Sequence, residues 1–246
     1  MHVLIATCGV LVRKWRSCSG NHSAIFVGCL DTWTVPVNLT ATKLIDVCEQ
    51  LLCEIGGIEE LTARRVATAA GTTPSSVSYH FGSQEQLVIA TAERVYKRLN
   101  AERLSLLTSA VQRASPNPPT LEDIIAALVG PSVRWSLDPH SKYPVLAHFT
   151  SMAQRSSAPE LYRSVIEGIE HHRVFIPYFR LLAPWLGEAE IGWRMSCALG
   201  IRSQVTRSRL RNEVLTNHTI DFSDAEDVVA RIVEVVAPMF RRLPSA

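Results

Sequence analysis

Gly71 separates two short segments of different character, and together they leave few folds open. Residues 62–83 read TARRVATAAGTTPSSVSYHFGS. On the left, Ala63, Val66, Ala67 and Ala70 recur at the steps of a helix with one apolar face. Thr62 stands where an N-cap belongs. Gly71 stops that helix. On the right, Pro74 sits where a first-turn proline is tolerated, and Thr73 precedes it as a cap. Val77 and Phe81 share one face, so the second helix is very short. A helix, a tight glycine turn and a stubby second helix make a helix-turn-helix unit.

The chemistry of the second helix suits a groove. A helix that enters the major groove of DNA must fit a slot roughly 12 Å wide and reach phosphates and base edges. Thr72, Thr73, Ser75, Ser76 and Ser78 offer small hydroxyls, and the backbone N–H groups at the helix start add an anion site. Tyr79 and His80 offer larger donors. Val77 and Phe81 anchor the helix on its other side.

The flanking segments are also helical in period. Leu44, Cys48, Leu51, Leu52 and Ile55 mark an amphipathic first helix, with Thr40 or Thr42 as its cap and Gly56-Gly57 at its end. A fourth helix starts near Ser83, with Glu85 and Gln86 close to its start. Leu87, Val88, Thr91, Val95 and Leu99 run along its inner side. The sharpest break is SPNPPT, residues 115–120. Beyond it, helices are expected over 121–137, 143–156, 159–183, 187–212 and 224–242, with a kink or break at Pro177. No alternating strand pattern of useful length occurs. The expected fold is all-α. An N-terminal three-helix DNA-binding domain over 39–100 precedes a larger C-terminal helical domain over 101–246. Residues 1–38 lack a sustained helical period, and are expected to be disordered or a mis-assigned extension.

Composition narrows the function classes. The chain has 246 residues, 47% of them hydrophobic and 20% charged, which excludes a mostly disordered chain. Its formal net charge is only +2, so bulk basicity does not announce a nucleic-acid binder. No apolar run reaches the roughly 20 residues of a membrane helix, and no basic residue precedes the apolar start, so neither a membrane span nor a signal peptide is expected. Cys8, Cys18, Cys29, Cys48, Cys53 and Cys197 form no CxxC pair; they read as reduced thiols of a cytoplasmic protein rather than a zinc site.

Residues 41 to about 95 resemble the DNA-binding domain of the TetR/AcrR family of bacterial transcriptional regulators. The matching pieces are KLIDVCEQLLCEIGG, LTARRVATAAGTTPSSVSYHFGS and QEQL. The resemblance implies a ligand-responsive regulator that binds a palindromic operator as a homodimer. It implies a subunit interface built from the last two helices and a small-molecule pocket in the larger domain, with release of DNA on ligand binding. Carried over by position, Thr62 and Arg65 meet phosphates. Thr72, Thr73, Ser75, Ser76, Ser78, Tyr79 and His80 face the groove. Two departures stand out. Ser78 replaces a frequent Tyr, and Gln84 replaces a frequent Lys, which should make the salt dependence shallower by nearly one unit. Charge within 40–100 is about balanced, so binding must rest on local N–H, hydroxyl and Arg contacts from two heads acting together. The sequence does not separate repression from activation.

For the effector pocket, Trp135, His148, Met152, His171, Phe175 and Phe179 are the candidates, among other aromatics that include Tyr143. Ordinary core packing is the alternative for each. Arg194, Arg202, Arg207, Arg209 and Arg211 suit an acidic, acyl-CoA-like effector, a solvated face or part of a dimer rim; the other effector class is hydrophobic. Val228, Val229, Ile232, Val233, Val236 and Phe240 form an apolar stripe, for which the resemblance favours a shared dimer interface over packing within the subunit. A different class of function is a helical metal-dependent enzyme using Glu167 and His171, one helical turn apart. No HExxH, GxSxG or glycine-rich phosphate loop appears, and neither a cofactor nor a catalytic residue is expected.

Overall fold

The structure is a computed structural model that describes residues 39–242, except 158, 164 and 166–169. All regular structure among them is helical. Helix α1 (Leu39–Glu54) leads through a 3-10 turn (Ile58–Glu60) to α2 (Ala63–Ala69) and α3 (Pro74–Phe81). Helix α4 (Gln84–Ala114) follows, then α5 (Leu121–Leu137) and α6 (Tyr143–Arg155). After a 3-10 turn (Pro159–Tyr162) come α7 (Glu170–Arg173), α8 (Ile176–Leu182), α9 (Glu188–Arg207), α10 (Arg209–Leu215) and α11 (Ala225–Phe240).

Local chemistry sets most of these boundaries. The Thr62 hydroxyl accepts the Arg65 N–H at 3.1 Å and so caps α2, and Ser83 accepts the Gln86 N–H at 3.1 Å to cap α4. Thr120 and Asp123 form a reciprocal capping box on α5. Gly71 and Gly82 adopt φ of +63° and +78°, which a Cβ would strain, so each ends a helix with a sharp turn.

Several expected boundaries shift. Thr40 and Thr42 lie within α1, not before it. Over 159–183 the described residues form separate pieces, among them the 3-10 turn, α7 and α8, rather than one helix. Pro177 occupies the first turn of α8, where its missing N–H costs nothing, so the break falls where proline requires it. The helix expected over 187–212 divides at Ser208 into α9 and α10.

Two apolar clusters carry the packing. The first joins α1 to α4 through Leu44, Cys48, Leu52, Val66, Val77, Leu87 and Val95, and it also takes in Val145, Leu146 and Phe149 of α6. The second surrounds α5, where every residue from Ile124 to Val133 except Ala126 is buried, with Phe175, Phe179, Ile191, Val229 and Val236 against it. Helix α4 is one unbroken rod of 31 residues through residue 100, long enough to serve both clusters. The stripe Val228, Val229, Ile232, Val233, Val236 and Phe240 requires a correction. Every one of these side chains is at most 9% exposed within this single chain. They pack on the subunit's own core, where α5 supplies the facing apolar surface, and they are not open to a partner.

Candidate DNA-reading face and effector cavity

Helix α3 has one inward side and one outward side. Val77 is fully buried and Phe81 packs, half-buried, against the first cluster. These two fix the helix from below. Above, Tyr79 is 84% exposed, and Thr73, Ser75 and Ser78 are exposed with it. Thr72, Ser76 and His80 are half-buried. The hydroxyls are arranged with respect to one another. Thr72 Oγ1 and Ser76 Oγ lie 2.7 Å apart, and Thr73 Oγ1 lies 2.8 Å from Ser75 Oγ. Thr73 occupies the N-cap position without a cap hydrogen bond through its side chain. Pro74 has no N–H and the Ser76 N–H goes to the Thr73 carbonyl at 2.9 Å, so the Ser75 N–H is the first-turn donor that faces an anion. His80 meets the Tyr79 ring edge-on at 4.9 Å.

Cations flank this face. Lys43 of α1 brings its ammonium to 3.7 Å from where a Cβ on Gly71 would stand, so it covers the turn itself. Arg64 and Arg65 are exposed at the start of α2. Arg65 makes a long, 3.8 Å contact with the Glu60 carboxylate and donates to the Glu60 carbonyl at 3.4 Å. Elsewhere in the head, acids and bases neutralise each other: Arg94 and Arg98 both converge on Glu49, and Arg94 also binds Asp46. The balanced charge of this region is therefore local pairing on the α1–α4 side, which leaves Lys43, Arg64 and Arg65 beside the reading helix.

Gln84, the departure noted in the sequence, has an internal task. Its side-chain carbonyl accepts the Ala63 N–H at 3.0 Å, and its amide donates to the Leu61 carbonyl at 2.7 Å. Helix α2 is thus tied at its first residue to the first residue of α4.

A cavity of about 620 Å³ opens between α4, α6 and α9. Its apolar wall includes Tyr96, Leu99, Leu146, Phe149 and Leu199. Its polar end holds Asn100, Arg103, Ser132, His171, His172 and Arg202. Leu99, Leu146 and Phe149 belong at once to this wall and to the apolar cluster beneath the reading head. Burial, and next the charge of Arg202, pulls the Arg103 guanidinium down to about 9, so it remains cationic near neutral pH.

Residues 52–91 match the family model described as bacterial regulatory proteins, tetR family. Residues 126–239 match a second model, the tetracyclin repressor-like C-terminal domain. The chain belongs to the TetR family. An uncharacterized HTH-type transcriptional regulator in the dhlA 5' region of Xanthobacter autotrophicus is 39% identical over 61 residues. That match covers 25% of this chain and 30% of the relative's length, which confines it to a portion the size of a reading head. Among solved structures, a putative TetR-family transcriptional regulator from Rhodococcus sp. is similar in fold. It has a TM-score of 0.55 at 14% identity, covering 80% of this chain and 98% of that one. A putative transcriptional regulator from Rhodococcus sp. RHA1 has a TM-score of 0.53 at 22% identity, covering 80% of this chain and 95% of that one.

TetR family members are transcription regulators with a helix-turn-helix domain and a ligand-binding C-terminal domain. Within this member, the pocket residues expected from sequence mostly lie elsewhere. His171 lines the cavity. Phe175 and Phe179 are sealed in the second cluster, and Phe179 stacks on Phe240 at 4.3 Å. Trp135 packs against the first cluster and donates its indole N–H to Glu102 at 2.7 Å. Met152 packs against the same cluster, and His148 is half-buried outside the cavity lining. Large aromatics fill cores by default, and four of these six are large and apolar. Arg103, Asn100, Ser132 and His172 were not expected. The signal for Arg103 was present: it interrupts the inward series Val95, Leu99, Leu107 and Ala110 on α4, where a cation has no ordinary reason to stand.

The metal-site alternative turns on Glu167 and His171. Glu167 lies outside the described residues, and His171 is engaged by Asn100, whose Nδ2 stands 3.0 Å from His171 Nδ1. Among the described residues no group of three metal-ligating side chains forms. Cys48 is buried, which pushes its thiol up to about 11 and makes it inert packing. No described helix is long and apolar enough to cross a membrane.

Proposed function

We propose that this protein is a ligand-responsive repressor that binds a palindromic operator as a dimer and is released by a small molecule. The observation that carries the reading is the two-sided build of α3. Val77 is fully buried while Tyr79 is 84% exposed, two residues further along the same helix. Such a helix presents its hydroxyl side to a groove and is held rigidly enough to read it. Thr62 and Arg65 sit at the start of α2, where a phosphate would meet the exposed guanidiniums of Arg64 and Arg65. Thr72, Thr73, Ser75, Ser76, Ser78, Tyr79 and His80 form the groove-facing set.

Helix α6 supplies the link from effector to DNA. Leu146 and Phe149 contact both the cavity and the core of the head. A molecule that pushes this wall must also repack the head, because close-packed cores switch between arrangements rather than deform smoothly. The dimer would use the outer side of α9, where Trp193 is 66% exposed, together with α11, where Val235 is 60% exposed.

Fluorescence anisotropy on the DNA flanking the gene tests the reading. Binding should select a palindrome and weaken steeply with salt. Absence of sequence-selective binding at every nearby palindrome would sink it.

A further inference from the structure

At the polar end of the cavity two guanidiniums, those of Arg103 and Arg202, stand together, and among the described residues neither is in an ion pair. Arg103 is only 2% exposed. Its Nε donates to the Leu128 carbonyl at 3.1 Å, and its terminal nitrogens donate to Asn100 Oδ1 at 2.5 Å and to Ser132 Oγ. Arg202 donates to the same Ser132 Oγ at 2.8 Å and to Ser203 Oγ at 3.0 Å. Glu93 is the sole carboxylate in the cavity lining among the described residues. Burying two adjacent like charges is costly unless something else compensates them.

The hydrogen-bond directions make the imbalance sharper. A guanidinium can only donate, so Asn100 Oδ1 accepts from Arg103. The Asn100 amide nitrogen then donates to His171 Nδ1 at 3.0 Å. His171 must carry its proton on Nε2 and donate to His172 Nε2, 3.2 Å away. His172 is therefore left with its proton on Nδ1, a position assigned from this donor-to-acceptor chain. His172 Nδ1 is sealed from solvent and has no hydrogen-bond partner, and so is Arg202 Nε. Burial, and next the charge of Arg103, holds the His172 imidazole neutral, its pKa lowered to about 2. Both orphan atoms are donors, and both residues line the cavity. Neither atom is open to the cavity as it stands. A buried donor without an acceptor is expensive, and an oxygen admitted by a rotation of the side chain would satisfy each.

We propose that this end of the cavity binds the oxyanion head of an amphipathic effector, a carboxylate or phosphate monoester on an apolar body. Arg202 and His172 donate to the head, and Arg103 supplies a fixed countercharge. The apolar body lies along Tyr96, Leu99, Leu146, Phe149 and Leu199. Headgroup capture would place the body against the α6 wall, so the inference rests on the effector-controlled reading above and specifies the ligand class for it.

Isothermal titration of the full chain without DNA tests this, with octanoate, octyl phosphate, 1-octanol and inorganic phosphate as probes. Octanoate or octyl phosphate should bind at least tenfold more tightly than octanol, and the tighter of the two identifies the headgroup. Inorganic phosphate should bind weakly for want of a body. Arg202→Met should erase the preference for either anion over octanol. Arg103→Met should raise the melting midpoint of the empty protein, because it removes an uncompensated charge; an arginine kept only for structure would lower it on substitution. The proposal fails if octanol matches both anions, if neither anion binds, if Arg202→Met keeps the preference, or if Arg103→Met lowers the midpoint. Anion binding that leaves operator DNA bound would spare this site and refute the release mechanism. Operator release by octanol with no anion preference would do the reverse.

Discussion

Gln84 and Ala63 open two different helices, yet the Gln84 side-chain carbonyl accepts the Ala63 N–H at 3.0 Å while its amide donates to the Leu61 carbonyl at 2.7 Å. The Ala63 N–H is one of the helix-start donors that has no partner within α2. Gln84→Ala should therefore cost about 1–3 kcal/mol, two part-buried hydrogen bonds at ordinary strength. Urea denaturation would measure it. Gln84→Lys separates the structural task from a DNA contact. It should lose the same stability yet steepen the salt dependence of operator binding by nearly one unit, through one added phosphate contact. Unchanged stability in both variants would show the clamp to be idle.

Glu49 is 7% exposed at its side chain and receives both Arg94 and Arg98, at 2.7 Å each. Burial alone would raise its carboxyl, but the hydrogen bonds from Arg98 and Arg94 outweigh burial and hold it below the usual carboxylate range. The unfolded chain lacks these partners and takes up a proton at higher pH. The cluster's contribution is thus complete above the ordinary carboxylate pKa and fades as pH falls through the folded-state value. Glu49→Gln should cost on the order of 2 kcal/mol at pH 7, between an exposed pair and a sealed one, because both arginines keep contact with water. The cost should shrink in denaturation curves taken near pH 3. A cost that is the same at both pH values would rule out the charge as its origin.

On α3 the two sides predict opposite phenotypes. Tyr79→Ala should leave stability within about 0.5 kcal/mol of the parent, since the ring is 84% exposed. If Tyr79 reads the groove, the change should weaken specific operator binding by about 1–3 kcal/mol and non-specific binding far less. Val77→Ala should instead destabilise the fold by roughly 1–3 kcal/mol, because it opens a void at a fully buried position. Anisotropy at two salt concentrations, paired with thermal melts, distinguishes the two.

The reading head was legible in the sequence because its signals are local. Thr62, Gly71, Pro74 and Ser83 act on neighbours within a few residues, and each stands where the helix boundaries require it. Val77 and Phe81 were equally readable, since a helix so short has one inward face. The cavity was not legible, because its walls come from helices far apart in the chain. Arg103 and Arg202 meet at Ser132 only through the packing of α4, α5 and α9. Phe175 and Phe179 show the converse error: aromatic size alone does not tell a ligand wall from a core. The last helix misled for a related reason. A broad apolar stripe must be buried, but the pattern does not say against what, and α5 occupies it.

With that stripe consumed internally, an interface in the proposed dimer must draw on what remains outside. Trp193 is 66% exposed on α9, and a Cβ added at Gly192 or Gly200 would meet nothing within 4 Å. That side of α9 therefore offers a large aromatic beside open backbone, the composition of an interface anchor rather than of a solvated face. Met195 and Ala198, on the opposite side, already hold α9 to the core. Trp193→Glu should leave the helical spectrum and melting of the subunit nearly intact while shifting sedimentation velocity from dimer to monomer. Operator affinity should fall by at least about tenfold in step, because two tethered heads raise each other's effective concentration and separate heads do not. A variant that stays dimeric and binds the operator as tightly as the parent would place the interface elsewhere on the molecule.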